Sequence, residues 1–162
     1  RRLPVLLLHG GAWAIPAANT AATLAGMREA TRAGWAVLAA GGPALDAVEA
    51  AVRVMEDDPI FDAGRGSVLT DQGDVEMDAV IMDGRTLATG GVAAIKGVRH
   101  PISVARAVME ETDHCLVVGA GADELSRKLG CELVRATSVA ACSPHSLPPA
   151  CPLLPLPPTL AC

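Results

Sequence analysis

A layered α+β domain is what this sequence predicts, on three observations. Two stretches in the first third carry apolar residues at spacings of three and four, the period of a helix face. The centre then changes to short apolar runs separated by compact turns. Helical spacing returns after Pro101. Helices laid on a largely antiparallel sheet give an α+β architecture.

The elements follow in order. Pro4 to Leu8 is a short apolar run ending in a glycine pair, which predicts a buried strand feeding a tight loop. A helix is expected from about Thr20 to Ala40, with Leu24, Met27, Thr31, Trp35 and Leu38 on its inner face. Gly41-Gly42 closes it, and Pro43 opens a second helix where a missing N–H costs nothing. Leu45, Val48, Val52 and Met55 form the apolar stripe there, and Asp57-Asp58-Pro59 ends it. Ser67 to Thr70, Val75 to Met82 and Leu87 to Ile95 read as strands. The turns between them, Asp71 to Asp74 and Asp83 to Thr86, are short, which predicts an antiparallel meander. Pro101 to Glu111 reads as a helix with Ile102, Ala105, Val108 and Met109 inward. Leu116 to Val118 reads as a buried strand, and Asp123 to Leu129 as a short helix stopped by Gly130. Residues 135–162 differ in kind: crowded with Pro and Cys, and without Asp, Glu or Lys, they predict an irregular tail with no core of its own.

Composition narrows the function. The 162 residues are 51% apolar with a net charge of −5, which suits a globular fold and gives no basic footprint for nucleic acid. Aromatics at 2% leave no stacking platform for single strands. No apolar run approaches the ~20 residues of a membrane span. Arg1-Arg2 before Leu3 to Leu8 imitates a signal peptide, but the run is too short and holds Pro4. Beginning with Arg1 rather than Met, the sequence is read as lacking its natural start. The five cysteines, Cys115, Cys131, Cys142, Cys151 and Cys162, show no zinc spacing and read as free thiols of a reducing, cytoplasmic compartment.

Four motifs invite chemistry. His9-Gly10-Gly11-Ala12 after a strand resembles an esterase oxyanion loop, but no G-x-S-x-G elbow accompanies it, and a tight turn is the plainer reading. Gly119-Ala120-Gly121-Ala122 is a partial dinucleotide fingerprint with Glu124 at the third glycine position. Asp57, Asp58 and Asp62 suggest a divalent cation but lack EF-hand spacing. Glu76 and Asp78 fall on one strand face, either for acid–base work or as a polar network fixing nearby loops.

Taken in order, LLLHGGAW, GGPALDAVEAAVRVMEDDPIFDAGRGSVLT, GDVEMDAVIMDG, ATGGVAAIKGVRHPISVARAVMEET and HCLVVGAGA resemble the α-subunit of plant-type L-asparaginases and isoaspartyl peptidases over about residues 3–134. The resemblance implies one α-subunit region, 1–134, and a divergent tail, 135–162. It implies part of the αββα sandwich of N-terminal-nucleophile hydrolases, without the second-half strands and helices. The implied activity is hydrolysis of L-asparagine or β-aspartyl dipeptides by a threonine freed through self-cleavage. That threonine follows a glycine in the family, and no Gly-Thr occurs here, so the chain alone is expected to be inactive. Exposed apolar edges and self-association are expected with it. By the same resemblance His9, Gly10, Gly11, Ala12 and Asp62 lie beside the nucleophile. Met55, Glu56, Asp58, Phe61, Ala63 and Arg65 hold a structural sodium ion through backbone carbonyls, and no organic cofactor is required. Asp62 stands where relatives carry Asn and cannot donate an amide N–H. Expected partners are the small substrate, once a second half is supplied, and further subunits of the same or a related chain. A rival reading is a non-catalytic module that pairs with a full-length relative.

Overall fold

The computed structural model describes residues 3–12 and 15–134. The expectation of an irregular tail, with Cys142, Cys151 and Cys162, lies outside those residues. In chain order the elements are α1 (Thr20–Ala39), α2 (Ala44–Asp57), β1 (Met77–Met82), β2 (Thr89–Ile95), α3 (Pro101–Glu111), β3 (Val117–Val118) and α4 (Ala120–Lys128). Short 3-10 turns occupy Ala17–Asn19 and Gly64–Gly66. The class is α+β, as the periodicities predict.

The sheet has the order β1-β2-β3, and it is not a pure meander. β1 and β2 form an antiparallel hairpin, but β3 runs parallel to β2 after a crossover through α3. Ser67 to Thr70 does not form a strand. Its backbone donors are spent inside a loop: Ser67 N–H reaches the Gly64 carbonyl and Val68 N–H reaches Asp62 Oδ1. Pro4 to Leu8 is likewise not a buried strand. It finds no ladder partner among the described residues, and Leu3, Val5 and Leu7 are 87, 87 and 93% exposed. Leu6 faces the other way, toward Gly34 of α1.

The core lies between the sheet and α3. Met77, Ile81, Val92 and Ile95 from the hairpin meet Ile102, Val104, Ala105 and Val108 from α3, with Ala122 of α4 beside them. The inner face expected for α3 is therefore the observed one. Ile95→Ala, at a position with no exposed surface, should cost about 3 kcal/mol. The check is the shift of the urea midpoint at constant slope.

The stripes expected for the first two helices are displaced. α1 buries Thr23, Gly26, Ala30 and Gly34, leaving Leu24 and Trp35 about half exposed. α2 buries Ala47, Ala51 and Glu56, while Val48 is exposed and Leu45 and Val52 flank the core. Small side chains permit a close helix–helix approach: a Cβ on Gly34 would lie 2.8 Å from the Ala47 carbonyl oxygen. Backbone proximity has selected the buried face in place of side-chain size.

The face of the sheet opposite α3 is open. Register places Val80 beside Gly91, Met82 beside Thr89 and Ala93 beside Val118 on that side. Val80, Met82 and Val118 are 69, 53 and 55% exposed, with Leu116 alongside. A contiguous apolar surface of this kind favours association. The chain should bind a hydrophobe-sensing dye and sediment above its monomer mass. A monomeric, cooperative melt without dye binding would contradict that.

Candidate functional site

Two loops meet around Phe61, which is 3% exposed. One is His9 to Ala12, where His9 Nδ1 accepts from the Gly11 N–H at 3.1 Å. A Cβ added at Gly10 would stand 2.9 Å from Met27 Sδ and 3.3 Å from the Phe61 ring. The other loop runs from the end of α2 to Ser67. The structure thus brings together the two segments that sequence separates by some fifty positions, and glycine at position 10 is what lets them touch.

The second loop is tightly wound. Met55 C=O accepts from Asp58 N–H at 3.3 Å, Asp58 C=O from Phe61 N–H at 3.2 Å, and Ala63 C=O from Gly66 N–H at 3.1 Å. Gly64 sits at φ +55°, with its α-carbon against the Glu56 carbonyl, and Gly66 lies against the Phe61 carbonyl. Side chains at either position would clash with main chain.

The three aspartates that suggested a divalent cation without its loop spacing are engaged separately. Asp57 pairs with Arg99 Nε at 2.8 Å. Asp58 Oδ1 accepts from Ile60 N–H, and Asp62 Oδ1 from Val68 N–H, both at 3.1 Å. Among the described residues no three His, Cys, Asp or Glu side chains could share a metal ion. Burial works against ionisation of Asp57, but the hydrogen bond from Arg99 and the nearness of His100 outweigh it and hold its carboxyl below the usual range. His100 Nε2 lies 3.2 Å from Asp57 Oδ2, off the line of a conventional hydrogen bond.

A cavity of about 270 Å³ opens between this loop, the start of β1 and the first turn of α3. Glu56, Asp62, Ser67, Glu76 and Asp78 contribute to its wall. Glu56 is 3% exposed; its Oε1 accepts from the Ile102 N–H at 2.9 Å, while Oε2 has no partner. Burial pushes its carboxyl up to about 8, only partly offset by that backbone N–H. Asp78 Oδ1 accepts from Ala94 N–H at 2.8 Å, inside a bulge where Ala94 adopts φ +50°. Glu76 pairs with Lys96 at 3.0 Å, and Lys96 also reaches Asp74 at 3.0 Å. The network reading of Glu76 and Asp78 therefore fits: they fix the bulge and the turn before β1.

Gly119, at φ +55°, makes the turn from β3 into α4, with its N–H on the Ala93 carbonyl at 2.8 Å, and Ala120 to Ala122 already belong to the helix. Sequence reasoning missed the side chain of Glu56 and the convergence of the two acidic motifs on one cavity. The only available signal was a glutamate at the apolar end of α2, where Ala47, Ala51 and Glu56 share a buried face.

The comparisons agree on a family. Residues 2–145 match the family model described as Asparaginase. The isoaspartyl peptidase/L-asparaginase of Danio rerio is 49% identical over 128 residues, covering 79% of this chain and 41% of that protein. The plant-type L-asparaginase of Pyrococcus abyssi is 56% identical over 126 residues, covering 77% and 41%. The isoaspartyl peptidase/L-asparaginase of Mus musculus is 46% identical over 127 residues, covering 78% and 39%. The chain spans about two fifths of the length of these relatives. Helix-period residues, turn glycines and both loops around Phe61 fall inside the shared stretch, and the chain belongs to the asparaginase family.

Proposed function

We propose that these residues form the first part of an amidohydrolase acting on L-asparagine or on β-aspartyl dipeptides, whose nucleophile lies outside residues 1–162. The observation that carries this is the meeting of His9 to Ala12 with the Asp62 loop around Phe61, in a chain sharing about half its aligned residues with proteins named for these activities. In this reading the chain supplies one wall of the site. A threonine at a freshly exposed N-terminus attacks the amide carbonyl, its own amine taking the proton. The sequence holds no Gly-Thr pair at which that threonine would be released.

The open sheet face supports the same assignment. Val80, Met82 and Val118 present an apolar surface of the kind a second sheet covers, giving the αββα sandwich its other half. The wound loop from Met55 to Arg65 would hold a sodium ion through carbonyls, stiffening the wall rather than entering the reaction. Asp62 acts there as an acceptor that pins Val68. A cytoplasmic location is part of this proposal, because free thiols at Cys115 and Cys131 suit a reducing compartment. Among the described residues no helix is long and apolar enough to cross a membrane.

The open face also suits a non-catalytic role, in which this chain pairs with a full-length relative. Ammonia release from L-asparagine separates the readings. We expect none from the chain alone and activity when a separately expressed second half of a relative is added. Activity from the chain alone would refute the assignment of the nucleophile. Inactivity of a demonstrated complex would favour the pairing module.

A further inference from the structure

We propose that the open face of the sheet is covered by residues 135–162 of the same chain, laid along a trough over β2. Side-chain size makes the trough. On that face β2 offers only Gly91 and Ala93 at its centre, while Val80 and Met82 stand on β1 and Leu116 and Val118 on the β3 side. Small residues between two rows of larger ones leave a groove, with β1 and β3 roughly 10 Å apart across it. Leu116 leans over its floor: a Cβ at Gly91 would stand 3.2 Å from Leu116 Cδ1. α3 packs against Gly90 and Val92 on the opposite side and leaves the trough unfilled.

Three features select this occupant. The first is polarity: residues 135–162 hold no Asp, Glu or Lys, and Arg135 and His145 are their only basic side chains. Apolar side chains without a core of their own gain by covering apolar surface. The second is proline. Seven prolines fall between Pro144 and Pro158, and without N–H groups they cannot extend the ladder at the β1 or β3 edge. Such a segment is suited to a face and not to an edge. In polyproline II, residues three apart share one side, a period that puts Leu147, Ala150, Leu153 and Leu156 in one row. Leu153 and Leu156 then stand roughly 9 Å apart, and the floor from Ala93 to Thr89 runs roughly 13 Å. The third is attachment. Val134 N–H reaches the Gly97 carbonyl at 2.9 Å, so the segment leaves just past the C-terminal end of β2, the strand that floors the trough. About 28 residues in polyproline II span roughly 85 Å, against roughly 25 Å back to Thr89. The tether also raises the local concentration of the segment, which favours its own chain over a second copy. A second sheet needs the same face and must displace it. Leu3, Val5 and Leu7 stay exposed in either case, so dye binding and association are expected with the trough covered.

The unaltered chain carries its own probes. Cys115 is exposed and adjoins Leu116 at the rim, and Cys151 adjoins Pro152 and Leu153. The dilute 162-residue chain is treated with a short bismaleimide, and the products are read by intact mass and peptide mapping. We expect a link from Cys115 to Cys151 at monomer mass, in preference to Cys142 or Cys162. Val80→Asp with Met82→Asp places charge in the trough at two exposed positions and should slow that link about 10-fold. Leu153→Asp with Leu156→Asp should slow it equally and alters no residue of the described fold. Leu24→Asp, exposed on α1, should leave it unchanged. Circular dichroism checks that the trough variant folds; if it does not, the segment variant decides alone. Absence of a link from Cys115 to the segment, absence of the preference for Cys151, or links between chains only would overturn the proposal. So would undiminished linking in the segment variant or in the folded trough variant, which would mean chance collision along a loose tether.

Discussion

Gly90→Val should abolish cooperative folding or cost at least about 3 kcal/mol. Gly90 lies in β2, where α3 crosses the sheet. A Cβ there would run into the Ala105 carbonyl oxygen, approach Met109 N at 2.5 Å and the Met109 side chain at 2.7 Å. Two of these are main-chain atoms of a helix and cannot rotate away. Relief requires lifting α3 from Ile81 and Val92, which opens the core itself. A loss of this size is a large share of the 5–15 kcal/mol typical of a domain. Gly84→Val is the control, because a Cβ there meets nothing within 4 Å and the change should stay within about 0.5 kcal/mol. Urea unfolding of the three chains compares them directly. Equal midpoints would mean that α3 does not sit this close to the strand.

Glu56→Gln should remove a pH dependence of stability that the parent chain carries. Burial raises the folded carboxyl to about 8 from an ordinary value of 4.5. The folded chain then holds a proton through a range where the unfolded chain has released it. The stabilisation from that proton is complete below the ordinary value and is lost as pH rises through about 8. Glutamine keeps an acceptor for Ile102 and never ionises. The variant should therefore gain on the parent by roughly 4 kcal/mol between about pH 5 and pH 8.5. Asp57 shifts in the opposite direction, but it is present in both chains and cancels in the difference. Parallel midpoint curves in sodium-free buffer would show that Glu56 is better hydrated than its burial implies.

What the sequence disclosed follows what is local. Pro101 to Glu111 was legible to the residue because its apolar positions face one side of the β1–β2 hairpin. The hairpin was legible because Asp83 to Thr86 carries its own turn chemistry: Asp83 accepts from Arg85 N–H at 2.9 Å and from the Thr86 hydroxyl at 2.9 Å. The inner face of α1 was not legible, because Gly34 is set by the nearness of the Ala47 main chain and Gly26 by the Asp58 and Phe61 side chains, not by their own hydropathy. Pro4 to Leu8 and Ser67 to Thr70 look like strands because they are short runs bounded by turn residues, but a strand also needs a partner with free donors. The loops of the site were recognisable from ordered motifs. Their convergence at Phe61 and at the acidic cavity was not, since it depends on contacts between residues far apart in the chain.

The seam between α1 and α2 has a consequence for how the molecule breathes. α1 rests mainly on α2, and α2 reaches the sheet layer through a few bridges: Glu49 to Arg106 and Ser103, Glu56 to Ile102, and the flanks of Leu45 and Val52. The hairpin and α3 share a core with no such intermediary. Two cooperative units are expected in native-state hydrogen exchange. Amides of β1, β2 and α3 should exchange last and together, and those of α1 should exchange earlier, through an opening that leaves the sheet intact.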